Sequence, residues 1–408
     1  MLAVLSKENY EKGKSMSVNF NKKLLIYVNE VDLKPTGGAS GYNYNMQQGL
    51  QHIGAKNYSF LKGVDQTRNK FKALKDGALK RSMFVVLRIL NYKLLLEKKK
   101  SYAKVNLDDY EVVHFHNVKD MYEARTSLEN YNGIVVLTSH SPKPFSFEIY
   151  EDVISDFEKR VFGKMYKKLI VMEKYAFKRA NYIIFPCEDA EEPYYKKWKE
   201  YKKIHDENAE KYRYMLTGTK ECKAKISKKE YRKEKQIPED AFVVSYAGRH
   251  NQTKGYDKLK KIGQQLLQQE DVYFMIAGKE EPLKGLEHPH WREIGWTNDP
   301  HSLINASDVF VLPNEETYFD LIMLEVLSLG KIVIASRTGE NKFFEKIDAP
   351  GVMLYSDEKQ AIELIEKVKH MSQDERAVLE KRNYKLFKEK FSNPVFAQNY
   401  VNIINDLK

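Results

Sequence analysis

NEETYFDLIMLEVLSLGK, residues 314–331, separates two apolar runs that are typical of buried β-strands. The first run covers 309–312 and the second covers 332–335. Between them, an acidic loop leads into an apolar segment that predicts a helix beginning near Leu321 and ending at Gly330. A strand, a loop, a helix and another strand in this order predict an α/β domain with a parallel sheet.

The same stretch carries the chemistry of a phosphate site. Ligands of open α/β sheets bind outside the carboxyl ends of the strands, against helix N-termini. A helix N-terminus offers free N–H groups and a positive dipole to a phosphate. Glu325 lies on the second turn of the predicted helix, where its carboxylate can accept hydrogen bonds from a ribose diol. We therefore predict a site for a nucleoside diphosphate, with a sugar-reading loop in front of it.

This pattern resembles the retaining, family 4 type of nucleotide-sugar glycosyltransferases (glycosyl transferases group 1). The resemblance implies the GT-B fold, in which two Rossmann-like α/β domains face each other across a cleft. The family signature is Glu-x7-Glu, and Glu325 matches the second glutamate, which binds the ribose hydroxyls. Thr317 stands where the first glutamate holds the donor sugar, and Glu316 lies one residue away. Either Thr317 holds the donor sugar more weakly than a glutamate would, or the loop lets Glu316 take the position of the first motif glutamate.

The residues just before Glu325 also follow the family pattern. Phe319, Asp320 and Leu321 stand where the family usually has Phe-Gly-Leu. The resemblance implies that Leu321 and Ile322 present backbone N–H groups to the distal phosphate. Downstream of the next strand, the family often has two glycines near the phosphate, whereas this sequence has only Gly339.

A second match follows the strand predicted over 242–247. The family has Gly-Arg and, a few residues later, Lys-Gly at this place, and here Gly248, Arg249 and Lys254 match it. The resemblance implies that the two cations clamp the diphosphate. Fixed cations stabilise the negative charge that grows on this leaving group. With both in place, no bound metal and no cofactor is expected.

A third match follows the strand over 272–278. The segment around Gly295 and Trp296 corresponds to the part of the family that lines the nucleobase. Trp296 either stacks on the base or half-buries itself over the edge of the sheet, and the sequence leaves both interpretations open.

The N-terminal half shows a weaker form of the pattern. A strand predicted over 23–28 is followed by Gly37 and Gly38, which open a helix over 42–50. Glycine permits close approach of the backbone to the donor phosphates or to the acceptor.

Histidines close two further strands, predicted over 111–116 and 133–140. His140 matches the family histidine that faces the donor sugar. His114 and His116 have the spacing of metal ligands, but no cysteine or acidic third ligand is near them in the sequence. Packing at the strand end or contact with the acceptor is the alternative interpretation.

The length of 408 residues suits two domains. We predict a tail over 1–22, an acceptor domain over 23–214, a nucleotide-sugar donor domain over 215–384, and helices over 385–408 that cross back to the first domain. Two cysteines far apart in the sequence indicate a reducing, cytoplasmic location, and the N-terminus carries no signal-peptide pattern.

The net charge of +11 is concentrated in a few segments. Within 81–100, apolar residues are interrupted by Arg88 and Lys93 and end in a lysine cluster, which is too short and too charged to span a bilayer. It is either a peripheral helix on an anionic membrane or a helix packed on its own domain. No nucleic-acid-binding module is recognisable, so nucleic acid is not an expected partner.

Together these patterns predict a retaining, hexosyltransferase-type enzyme of polysaccharide or glycoconjugate synthesis, with a nucleotide-sugar donor and a glycan or lipid-linked acceptor. One alternative is another nucleotide-sugar enzyme on the GT-B fold. Because the first motif glutamate is missing, the other alternative is a non-catalytic subunit that binds a partner through the same fold.

Overall fold

The computed structural model describes residues 18–28, 33–35, 38–61 and 78–408. Two six-stranded sheets, both parallel throughout, organise this part of the chain. The first has the order β2-β1-β3-β4-β5-β6. Its strands are β1 Leu24–Tyr27, β2 Tyr58–Leu61, β3 Val112–Phe115, β4 Ile134–Leu137, β5 Tyr182–Phe185 and β6 Tyr212–Tyr214.

The second sheet has the order β12-β11-β10-β7-β8-β9. Its strands are β7 Phe242–Ala247, β8 Val272–Ala277, β9 Trp291–Gly295, β10 Val309–Leu312, β11 Ile332–Ser336 and β12 Val352–Tyr355. The strand order reverses direction at β7 and β10, so the crevice outside their carboxyl ends is where such a sheet binds ligands. The predicted α/β architecture of two Rossmann-like domains is confirmed.

Helices cover both sheets. Those between the strands of the first sheet are α1 Gly38–His52, α2 Ala78–Glu97, α3 Val118–Glu123, α4 Arg125–Glu129, α5 Phe145–Glu148, α6 Asp156–Lys167, α7 Ile170–Arg179, α8 Glu192–Lys197 and α9 Tyr201–Asp206. The remaining helices are α10 Lys228–Glu234, α11 Tyr256–Leu266, α12 Pro300–Ala306, α13 Leu321–Ser328, α14 Glu358–His370, α15 Gln373–Leu386 and α16 Asn393–Asp406.

The last helix, α16, packs against the first sheet rather than the second. Phe396, Tyr400 and Ile404 are fully buried in the cluster that includes β1 and α1. A Cβ on Gly49 of α1 would lie 2.5 Å from the carbonyl oxygen of Asn393, so the two helices are in close contact. The chain end therefore belongs to the core of the first sheet, while the residue bounds of the two domains stay a prediction.

Ion pairs join the loops of the two sheets across the cleft. Lys342 Nζ lies 2.7 Å from Glu192 Oε2, and Lys346 Nζ lies 2.5 Å from Asp189 Oδ2. The amide of Gly339 donates to the same Glu192 carboxylate at 3.0 Å. These contacts hold the loop after β11 against the first domain, so the structure describes a closed cleft.

Candidate functional site

The N-terminus of α13 faces the loop that follows β7. Gly255 has a φ of +62°, and a Cβ there would collide with the backbone carbonyl of Pro313 at the end of β10. The amide of Glu315 donates to the carbonyl of Thr253 at 3.0 Å, which joins the same two loops. Glycine at 255 thus brings Lys254 beside the start of α13.

Lys254 forms an ion pair with Asp320, which the sequence analysis placed in the predicted phosphate site. We call Arg249, Lys254, Asp320 and the N-terminus of α13 the cradle. Lys254 Nζ lies 2.7 Å from both carboxylate oxygens of Asp320, and Asn314 Nδ2 donates to the same carboxylate. Asp320 is the residue that precedes α13, so a negative charge stands where the helix dipole is positive. A phosphate that binds here competes with Asp320 for Lys254.

Arg249 lies on the same loop as Lys254, after β7, and is exposed. Its position depends on Gly248, whose added Cβ would lie 2.7 Å from the hydroxyl of Tyr246. That hydroxyl donates to the carbonyl oxygen of Arg249 at 2.8 Å. The charge of Arg249 also reaches Glu148 of the first domain, where it opposes the rise in carboxyl pKa that burial causes. Arg249 therefore stands in the cleft between the two sheets.

Thr317 meets a carboxylate from a different loop. It is 1% exposed, and its hydroxyl donates to Glu340 Oε1 at 2.6 Å. The amide of Asp320 donates to the same oxygen at 3.1 Å. Glu340 is also 1% exposed, and burial together with the nearby charge of Asp320 raises its carboxyl pKa to about 8. Position 317, which lacks the motif glutamate, thus contacts a glutamate that follows β11.

Glu316 points away from this cradle. Its carboxylate lies 2.8 Å from Lys143 Nζ and 3.0 Å from Lys197 Nζ, both in the first domain. Lys143 is buried, and its contacts with Glu316 and Glu151 raise its pKa despite desolvation. The expectation that the loop lets Glu316 take the motif position is not met in this structure, because the carboxylate closes the cleft instead.

The other donor-binding residues predicted in this stretch lie at the start of α13. Phe319 is buried and contacts Phe391 with ring centroids 6.0 Å apart, so it anchors the loop. Leu321 and Ile322 are the first two residues of the helix and are half-buried. The first amides of a helix have no partner within it, so both can donate to a ligand.

Glu325 lies on the second turn of α13 beside His301, the second residue of α12. His301 Nε2 and Glu325 Oε2 are 3.1 Å apart. Hydrogen bonds with Cys222 and Glu325 raise the pKa of His301 to about 10. The imidazolium therefore holds the carboxylate in place at neutral pH, and Glu325 remains 23% exposed toward a ligand.

Cys222, His301 and Glu325 also form a group that could hold a metal ion, with ligand atoms within 4.8 Å of one another. The three residues lie far apart in the sequence, and only the fold brings them together. His301 and Glu325 are also joined directly by a hydrogen bond.

Trp296 is 76% exposed, directly after β9. The interpretation that it covers the edge of the sheet is wrong, because a covering side chain would be mostly buried. Gly295 before it has a φ of +72° and open space around its Cβ position. The indole therefore remains a candidate for stacking on a base.

His140 stands on the opposite side of the cleft, after β4, with a φ of 57°. Its ring lies 6.5 Å from that of Tyr318, the neighbour of Thr317, measured between centroids. His140 Nε2 is 2.8 Å from His116 Nδ1, and burial lowers the pKa of His140 to about 3. It faces the donor loop as a neutral imidazole.

His114 and His116 have different surroundings. His114 is fully buried between the hydroxyls of Tyr400, at 2.7 Å, and Thr138, at 2.9 Å, which is packing at a strand end. Among the described residues His116 Nε2 finds no partner, and His116 lines a cavity of about 160 Å³ at the ends of β1 and β3. Gly38 begins α1 with a φ of +70° near this cavity, whereas Gly37 lies outside the described residues.

A known protein family matches the part of the chain that forms the second sheet. Residues 241–374 match the family model described as glycosyl transferases group 1. The match covers all six strands of the second sheet. The matched residues contain Arg249, Lys254, Asp320 and Glu325, so the cradle lies within the part of the chain that is similar to this family.

The relatives agree with this assignment. The chain is 28% identical to the O-antigen biosynthesis glycosyltransferase WclY of Escherichia coli over 185 residues, which is 43% of this chain and 50% of WclY. The match thus spans half the length of this curated relative.

Solved structures resemble nearly the whole chain. Sucrose-phosphate synthase from Thermosynechococcus elongatus has a TM-score of 0.63 at 17% identity, covering 93% of this chain and 97% of its own. HepE from Anabaena, solved with UDP-glucose, has a TM-score of 0.60 at 13% identity, with coverages of 95% and 100%. At these identities the similarity establishes the fold, which is GT-B.

Two residues of the glycosyltransferase cradle escaped the sequence analysis. Glu340 stands where the resemblance implied a second glycine, so an acid in a glycine position was a usable signal. His301 follows Asp299 and Pro300 at a helix start, and nothing in that local pattern indicates a contact with Glu325.

Proposed function

We propose that the chain is a retaining glycosyltransferase that moves a sugar from a nucleotide-diphosphate donor to a glycan or lipid-linked acceptor in cell-surface polysaccharide synthesis. The observation that carries the proposal is the meeting of the α13 N-terminus, Lys254 and Arg249 at the carboxyl ends of β7 and β10. Amides, a helix dipole and two cations at one point suit a diphosphate.

Donor binding follows from this arrangement. The diphosphate accepts from the amides of Leu321 and Ile322 and draws Lys254 from Asp320. Glu325, held by His301, accepts from the ribose hydroxyls, and Trp296 stacks on the base. The donor sugar then extends toward the first domain, where His140 faces it.

Transfer with retention needs no protein base in this proposal. The acceptor hydroxyl attacks from the face that the diphosphate leaves, the glycosidic bond to the phosphate oxygen breaks, and that oxygen takes the hydroxyl proton. His140 is neutral, which suits a hydrogen-bonding role toward the sugar. Arg249 and Lys254 stabilise the charge that the leaving group gains.

The test is turnover of donors by the purified protein. UDP-, GDP- and dTDP-sugars are offered in turn, and release of nucleoside diphosphate is measured, with a thermal-shift screen against the free nucleotides. Lys254→Ala is compared with Lys258→Ala, whose lysine pairs with Glu315 at 3.3 Å, outside the cradle. Equal activity in both variants, or no nucleotide binding by the parent, would contradict the proposal and favour a non-catalytic role.

The acceptor side of the proposal includes contact with an anionic membrane in a reducing, cytoplasmic compartment. No helix among the described residues is long and apolar enough to cross a bilayer. Helix α2 exposes Phe84, Leu90 and Leu94, each about half accessible. Phe157 of α6 is 66% exposed on a helix that also packs against α2.

Arg88 has another role than headgroup contact. Its guanidinium lies 2.7 Å from Glu158, a fully buried carboxylate of α6, and so fixes α2 to its own domain. The exposed apolar side chains of α2 and the lysines at its end are therefore the groups that would contact the membrane. Sedimentation with vesicles of phosphatidylglycerol and phosphatidylcholine tests this. A variant with both Phe84→Ser and Leu90→Ser should no longer bind the vesicles. If the parent binds vesicles of phosphatidylcholine alone equally well, the lysines do not contribute through attraction to anionic lipid.

A further inference from the structure

Glu340 carries a buried carboxylate oxygen that the described part of the protein leaves without a partner. Oε1 accepts from the Thr317 hydroxyl and the Asp320 amide, whereas Oε2 has no hydrogen bond and is inaccessible to solvent. A buried polar atom without a partner is destabilising, so such an atom calls for an explanation.

The position of Glu340 is imposed by its backbone. Gly339 has a φ of +46°, and a Cβ there would collide with the carbonyl oxygen of Thr317. The loop after β11 is thereby held directly against the loop after β10. The following residue, Glu340, must then turn its side chain under Thr317 and toward the amide that precedes α13.

A second buried oxygen of the same cluster is also without a partner. Asn314 is 1% exposed, its Nδ2 donates to Asp320, and its Oδ1 has no hydrogen bond with any residue that the structure describes. Asn314 and Glu340 contact Asp320 from two different loops. Amide and carboxylate oxygens accept hydrogen bonds, so the chemistry that fits this cluster is a group rich in hydroxyls.

We infer that Glu340 binds a hydroxyl of the donor sugar through Oε2, and that with Thr317 it does the work which the sequence assigned to residue 317 or 316. The inference rests on the proposed function. The Asp320 amide that Glu340 accepts from adjoins the amides proposed to hold the distal phosphate. The group bonded to that phosphate is the sugar, whose hydroxyls can donate to Oε2.

The substrate class follows from this geometry. Glu340 reads a hydroxylated sugar on a nucleoside diphosphate, and a free nucleoside diphosphate has nothing to offer it. The carboxylate should therefore distinguish the two ligands. Because the pKa of Glu340 is raised toward neutrality, a neutral amide of the same shape can replace it without loss of the fold.

The experiment compares Glu340→Gln with Glu345→Gln. Glu345 lies on the same loop, but it is exposed and pairs with Arg337 at 2.9 Å. Turnover is measured at pH 9, above the Glu340 pKa of about 8, where the side chain is an ionised carboxylate and Oε2 accepts. In Glu340→Gln, the amide oxygen keeps the bonds from Thr317 and Asp320, and an NH2 group that cannot accept replaces Oε2. We expect turnover of the donor to fall by about a hundredfold, the scale for losing one preorganised hydrogen bond. Glu345→Gln should match the parent.

Calorimetric titration separates sugar contact from a structural role. Affinity for the free nucleoside diphosphate should stay within about twofold of the parent in Glu340→Gln, while affinity for the donor falls. Parental turnover in Glu340→Gln would overturn the inference while leaving the proposed function intact. An equal loss of affinity for both ligands would also overturn it, because Glu340 would then only support the cradle. If the parent neither binds nor turns over any donor, the proposed function fails and the inference falls with it.

Discussion

Replacing Asp320 by asparagine should strengthen the binding of a free nucleoside diphosphate. Asp320 holds Lys254 through two contacts of 2.7 Å, and the two side chains are 19% and 20% exposed. A diphosphate must take Lys254 from this carboxylate and also tolerate its negative charge at the helix N-terminus. The Asp320→Asn substitution keeps the shape of the side chain and removes both obstacles.

The size of the effect follows from the exposure of the pair. An exposed ion pair contributes about 0.2–1 kcal/mol, and a hydrogen bond to a charged group about 1.5–3 kcal/mol. The Lys254–Asp320 pair is about one-fifth exposed, so we take an intermediate contribution of about 1.4 kcal/mol. Removing this competition should lower the Kd of the nucleoside diphosphate about tenfold. The substitution also removes this ion pair from the free protein and a favourable charge before the first turn of the helix, so the free energy of unfolding should fall by about 2 kcal/mol.

The assay is calorimetric titration with the nucleoside diphosphate that the parent binds, at low and at high salt. Glu315→Gln is the matched control, because it removes a charge from the same loop while its carboxylate pairs with Lys258 outside the cradle. The control should keep the parental Kd. Weaker binding by Asp320→Asn would refute the reasoning, since it would mean that Asp320 assists the ligand rather than competing with it.

Three further predictions concern the rest of the cradle. Glu325→Ala should abolish measurable transfer and keep the fold; undiminished nucleotide affinity in this variant would show that the ribose binds elsewhere. Arg249→Ala should lower turnover by about a hundredfold with little change in Tm, as expected for one lost charge on the leaving group; a parental rate would place the diphosphate away from it. His301 has a folded pKa of about 10, above the ordinary 6.5, so its stabilisation is complete below pH 6.5 and is lost as the pH rises through 10. The free energy of unfolding is measured for the parent and for His301→Gln from pH 6.5 to pH 10. The difference between the two proteins should shrink as the pH rises, and a constant difference would contradict the ion pair with Glu325.

The elements around the cradle could be predicted from local sequence. β7 and β10 are continuous apolar runs, as expected of strands buried on both faces, and α13 follows an acidic loop and ends before glycine. β2 and β12 were not predicted, because each has only four residues and neither is buried along its whole length. β5 is just as short and was not predicted either.

Sequence by itself determined the strands and the helix around the cradle, because their periodicity is a property of neighbouring residues. The resemblance to a known family added the cleft between two sheets and Lys254, Arg249 and Glu325 as candidates. Only the tertiary structure decided the partners of the candidates. Glu340 reaches Thr317 from another loop, and Asp320 holds Lys254 because β10 and β7, after which the two residues lie, are neighbours in the sheet. Such contacts depend on which strand ends the fold brings together, and the sequence near each residue carries no record of them.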